Sequence, residues 1–175
     1  MLAPLLCACA VHRVDLTASR PALYVIDVAP GYRDGVYRPI EEDDELEFLA
    51  RISKPNPSKK WMPTISACLD DAGGVSRYCL HLSYDPALRR TYGRAKLIGK
   101  DGAMISNVTT PGTFSPREKV ALKLVKKGRR VEAYVNGMLL DERTLDYSPE
   151  NLRIGGSSGK LHIELIASPP PPAPE

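Results

Sequence analysis

Aromatic side chains are scarce in this chain: one Trp, two Phe and eight Tyr in 175 residues. A nucleic-acid surface interleaves stacking aromatics with a basic face. Here the net charge is only +3 and the basic residues are scattered, the densest group being Lys126, Lys127, Arg129 and Arg130 on a turn. No nucleic-acid partner is expected. No apolar run reaches the roughly 18 residues of a spanning helix, so no transmembrane segment is expected. Histidine is also rare. His12, His81 and His162 lie far apart, and neither Cys-x-x-Cys nor a paired-His spacing occurs, which argues against zinc. The glycine-rich run 155–159 lacks the Lys-Ser/Thr of a phosphate loop. Ser157 and Ser158 within it do not follow the strand–turn–helix logic of a hydrolase nucleophile. That run reads as a turn.

What is present is a globular composition, 43% hydrophobic and 26% charged, long enough for one domain with a real core. Residues 21–167 are expected to form it. Prolines crowd the segment 168–175, which reads as an extended, polyproline-like tail. Residues 1–20 are apolar and small at the start, and two readings stand. One is a truncated export signal in which Leu6-Cys7-Ala8-Cys9 resembles a bacterial lipidation motif; the other is an ordinary apolar N-terminus. Export implies an extracellular or periplasmic location, with a lipid anchor if the motif is used; a cytoplasmic location stays open.

The internal segments read as strands. Ala22–Val28 is β-branched and aromatic, and Asp34-Gly35 after it reads as a turn. Leu46, Phe48, Ala50 and Ile52 alternate with Glu47, Leu49 and Arg51, which favours a strand with one buried face over a helix. Gly73-Gly74 suits a two-residue hairpin turn. Folding there pairs Ile65 with Leu82, Ala67 with Leu80 and Leu69 with Tyr78 on one face. Thr64–Ser83, Ser66–His81 and Cys68–Cys79 fall on the other. One face is apolar and the other polar through six pairs, and a one-residue slip destroys this.

A second fold at Lys127-Gly128 pairs Val120 with Val135, Leu122 with Ala133, Leu124 with Val131 and Lys123 with Glu132. Asn136-Gly137 is a strong hairpin turn and sets Val135 against Met138 and Ala133 against Leu140. Arg94–Ile98 and Met104–Val108 read as strands joined across Lys100-Asp101-Gly102. Leu152–Ile154 and Leu161–Ala167 read as the last two. Many short strands with turn chemistry between them predict an all-β, antiparallel two-sheet sandwich.

The run Val120–Leu124, then Gly128 to Gly137 ending Tyr134-Val135-Asn136-Gly137, then Leu152-Arg153-Ile154-Gly155-Gly156, resembles the laminin-G-like, concanavalin-A-like jelly-roll family over about residues 43–166. The last strand departs from the family's aromatic ending. The resemblance implies a jelly roll with rim loops that bind ligands. It also implies Ca²⁺ at the rim as a possible cofactor, with Asp70, Asp71 and Asp101 as carboxylate ligands. Trp61, Tyr92 and Tyr134 are the aromatics that could stack on a sugar.

Cys68 and Cys79 face each other in the Gly-Gly register, at a hydrogen-bonded position. A disulfide and two reduced, half-buried thiols are both open. Asp43, Glu45 and Glu47 share one strand face. Glycoside hydrolases of this fold place a nucleophile and an acid in a similar alternation. Few aromatics accompany these three, and a solvated acidic edge is the plainer reading. The function expected is therefore a non-catalytic binding module that recognises glycan or protein through its rim loops. A structural or adaptor domain of a larger surface or envelope protein is the alternative, and a glycoside hydrolase the third.

Overall fold

A computed structural model describes residues 23–56 and 62–166 of the protein. The export segment expected within 1–20, Trp61 and the tail 168–175 lie outside the described residues. The regular elements described are ten strands: β1 (Leu23–Pro39), β2 (Asp43–Pro55), β3 (Thr64–Asp70), β4 (Ser76–Asp85), β5 (Arg90–Ile98), β6 (Met104–Thr109), β7 (Val120–Lys127), β8 (Arg130–Val135), β9 (Met138–Thr144) and β10 (Asn151–Leu165). All named pairings are antiparallel, in the order β6-β5-β4-β3-β10-β2-β7-β8-β9, with β1 on β10. The fold is the expected all-β sandwich.

The two layers meet at β10. Its first half pairs with β3 from Asn151↔Asp70 to Ser157↔Thr64. Its second half pairs with β2 from Gly159↔Pro55 to Leu165↔Phe48. β1 follows β10 around the corner, with a register shift between Val28 and Arg33. Residues 155–159 are therefore not the turn read from the sequence but the bend of one long strand. Glycine is required there by close approach. A Cβ on Gly155 would collide with the Asp34 carbonyl, and one on Gly156 with the Leu161 side chain. Asp34-Gly35 is likewise not a turn: it lies inside β1, opposite Gly156 and Gly155.

The core lies between the layers. Ile65, Ala67 and Leu69 on β3, and Tyr78, Leu80 and Leu82 on β4, are fully buried, opposite Phe48, Ala50 and Ile52 on β2 and Leu122 on β7. Each buried aliphatic or Phe side chain of this kind contributes about 1.5–3 kcal/mol. Cross-layer contacts confirm the closure. Tyr78 donates its hydroxyl to Asp141 on β9 at 2.9 Å, Arg143 chelates the same carboxylate, and Arg143 also donates to Ser106 on β6 at 3.0 Å. Burial and the Asp141 charge push the Tyr78 phenol up, so it remains a donor.

The β3–β4 register is the expected one from Thr64↔Ser83 to Leu69↔Tyr78. Its turn is longer than a two-residue loop. Gly74 donates to the Asp71 carbonyl at 2.8 Å, takes φ 72°, and is followed by a register shift at Asp70. Cys68 and Cys79 are joined as a disulfide with a Cα–Cα separation of 4.1 Å, the spacing of a narrow pair and not of a hydrogen-bonded one.

The β7–β8 register differs from expectation by two residues. Leu122 opposes Val135, Leu124 opposes Ala133, and Lys123 opposes Tyr134 in place of Glu132. Gly128 takes positive φ (55°) as the first residue of the turn, which moves the fold to Gly128-Arg129. Across β8–β9, Val135↔Met138 holds around Asn136-Gly137, but a bulge sets Ala133 against Asp141.

Candidate functional site

The outer face of the first layer can be laid out as rows, because each strand contributes every second residue to it. One row runs Tyr37, Arg153, Cys68, Cys79, Lys96 across β1, β10, β3, β4 and β5. The next runs Gly155, Ser66, His81, Arg94. A third runs Arg33, Ser157, Thr64, Ser83, Tyr92. A cleft of about 320 Å³ opens on this face, lined by Arg33, Met62, Thr64, Ser66, His81, Arg94, Lys96, Arg153, Gly156 and Ser157. Four cations and one histidine converge there, with no carboxylate among these lining residues.

His81 lies at the centre, half-buried. Burial pushes its imidazole down to about 3, and the charges of Arg94, Lys96 and Arg153 push the same way. It is neutral at pH 7. Its Nδ1 and the Nε of Arg94 opposite it are buried without a hydrogen-bond partner among the described residues. Burial and the Arg94 charge also hold the Lys96 ammonium below its ordinary range. Arg153 is held from behind, its Nε 3.6 Å from the buried Asp70 carboxylate. An unpartnered Arg94 Nε and a ring of cations around a neutral imidazole in a concave face make a surface that favours an anion.

The residues singled out from the sequence are dispersed. Tyr92 is on this face, two residues from Arg94. Tyr134 is in a hollow of the other layer, with its hydroxyl donating to Glu132 at 2.6 Å. Asp71 accepts from the Gly73 and Val75 amides at 2.9 and 3.1 Å, Asp101 accepts from Ala103 at 3.0 Å in the β5–β6 turn, and Asp70 faces Arg153. The three expected calcium ligands are thus engaged locally, and no cluster of three or more His, Cys, Asp or Glu is arranged for a metal among the described residues. Lys123 sits between Glu45 (2.6 Å) and Glu47 (4.0 Å), while Asp43 accepts from the Gly128 amide at 3.0 Å. Among the described residues no helix is long and apolar enough to cross a membrane.

Sequence reasoning noticed His81 but not its surroundings. Tyr92, Arg94 and Lys96 alternate on β5, and His81 was already on the polar face of its hairpin. Pairing β4 with β5 brings the two sets together.

No family model and no curated protein matches the chain. Solved structures do. An alginate lyase from Alteromonas sp. 272 superposes with a TM-score of 0.54 at 9% identity over 75% of this chain and 76% of that one. A polysaccharide lyase of family 18 gives 0.54 at 10% identity over 75% and 77%. A structure from work on endo-acting O-glycanases of the human gut microbiota, which initiate mucin breakdown, gives 0.52 at 15% identity over 83% and 76%. At these identities the likeness shows the fold, a concanavalin-A-like jelly roll.

One expectation is corrected here. The chain was expected to be a non-catalytic binding module with no active site. Solved structures it superposes on include polysaccharide lyases and a structure from the O-glycanase work, so this fold gives no ground for excluding an enzyme.

Proposed function

We propose that the chain is a polysaccharide-degrading enzyme that cleaves an acidic, uronate-containing glycan by β-elimination on the outer face of the first layer. One observation carries this: Arg33, Arg94, Lys96 and Arg153 surround the neutral His81, with no carboxylate among the residues lining the cleft. β-Elimination needs that combination. A uronate's C5 proton becomes removable once its carboxylate charge is neutralised, and cations aimed at the carboxylate do this. His81 takes the C5 proton, the C4–O bond breaks, a C4=C5 double bond forms, and the leaving oxygen receives a proton. Tyr92, on the same face, supplies that proton. A carboxylate bound among Arg94, Lys96 and Arg153 also offsets their repulsion of the imidazolium, so His81 becomes a stronger base when substrate is present.

A disulfide in the floor of the face and a polymeric substrate both suit an exported enzyme. The test is incubation with alginate, pectate and a glycosaminoglycan, reading the ultraviolet absorbance of the new double bond conjugated to the carboxylate. Absorbance gain on at least one polymer, abolished in His81→Ala, is expected. No gain on any of them, or full activity in His81→Ala, overturns the proposal.

A further inference from the structure

β1 is the edge of the first layer, and its Tyr37 lies directly opposite Arg153. Tyr37 is 54% exposed although its neighbour Val36 packs against the core. The Arg153 guanidinium lies 5.9 Å from the Tyr37 ring centroid. Arg153 is also braced by Asp70, so the ring has a fixed neighbour on one side and solvent on the other. A large aromatic left open beside a cleft is a surface on which a pyranose ring can stack. The rows give its distance from His81: three strand spacings and one two-residue step, roughly 16 Å, or about three pyranose rings.

We propose that Tyr37 forms a stacking subsite for a sugar of the acidic glycan about three units from the bond broken at His81. The subsite rests on the β-elimination reading. It makes the enzyme favour chains long enough to lie across β3, β10 and β1, and it binds without touching the reacting atoms. A ring is needed and a hydroxyl is not.

The experiment compares wild type, Tyr37→Ala and Tyr37→Phe on a long uronate polymer and on uronate di- and trisaccharides. Tyr37→Ala is expected to raise KM for the polymer about threefold to tenfold, with kcat unchanged and the short substrates unaffected. Tyr37→Phe is expected to match wild type. An equal loss on long and short substrates shows that Tyr37 acts only by holding Arg153, and overturns the subsite, as does no change in KM for the polymer. A wild-type protein inert on every uronate polymer removes the elimination reading itself, and the subsite with it.

Discussion

His81 and Arg94 stand directly opposite each other on β4 and β5, and each keeps one buried nitrogen without a partner among the described residues. Leaving two such atoms dry is unfavourable, by about 1–3 kcal/mol each. Stability alone does not favour this arrangement.

His81→Gln keeps the size and neutrality of the ring without its basicity. Turnover on the responsive uronate polymer is expected to fall by about 10²–10⁴-fold with little change in KM, and a thermal melt is expected to show the fold intact. Steady-state rates by double-bond absorbance check this.

The pH dependence of stability follows from the same residue. The folded-state value of His81 lies near 3, below the ordinary 6.5 of the unfolded chain. Between those values the unfolded state binds the extra proton, so stability is full above about pH 6.5 and is lost as pH falls toward 3. Melting temperatures measured from pH 7 to 4 are expected to decline, and less steeply in His81→Gln. An identical decline in both proteins assigns the acid sensitivity to other groups.

Arg77 is 1% exposed, donates to the Ile98 carbonyl at 3.2 Å and to Asp146 at 3.1 Å, and lies 4.3 Å over the Tyr147 ring. Asp146 is largely exposed, so removing it leaves a buried cation without its counter-ion. Asp146→Ala is expected to destabilise by about 1–2 kcal/mol, and Arg77→Met by less, because that change removes charge and partner need together. Urea denaturation of both variants measures the difference.

Gly155→Ala forces a methyl group against the Asp34 carbonyl and the Gly35 backbone of β1. A loss of about 3 kcal/mol, the upper end for overpacking, is expected. Gly112→Ala, where the added atom meets open space, serves as the neutral control in the same denaturation series.

How much of this was legible depends on where the turns are. The β3–β4 register could be read because six pairs sorted cleanly by polarity, and a one-residue error would have mixed them. The β7–β8 register could not be fixed that way. A two-residue slip leaves every side chain on its face, and only the backbone of Gly128 decides between the two alternatives. The bend of β10 was read as a turn because glycines serve turns and close approaches alike. The site stayed hidden for a related reason. The β4–β5 connection holds Pro86 and a positive-φ Arg89, with no glycine pair to centre a register on, so the His81–Arg94 pairing had no marker. Arg33 and Arg153 reach the cleft through β1 and β10, strands more than a hundred residues apart, and short-range pattern cannot report that.

The corner-turning β10 also sets the order in which the protein can be made. It is the last strand among the described residues, yet it lies between β2 and β3 and carries β1. As synthesis proceeds, the β3–β4–β5–β6 and β7–β8–β9 ribbons can form locally, but neither joins the other until residue 165 has left the ribosome. During that interval β1, one side of β2 and one side of β3 wait with unpaired edges. The nascent protein is therefore expected to depend on protection from aggregation until its final strand arrives.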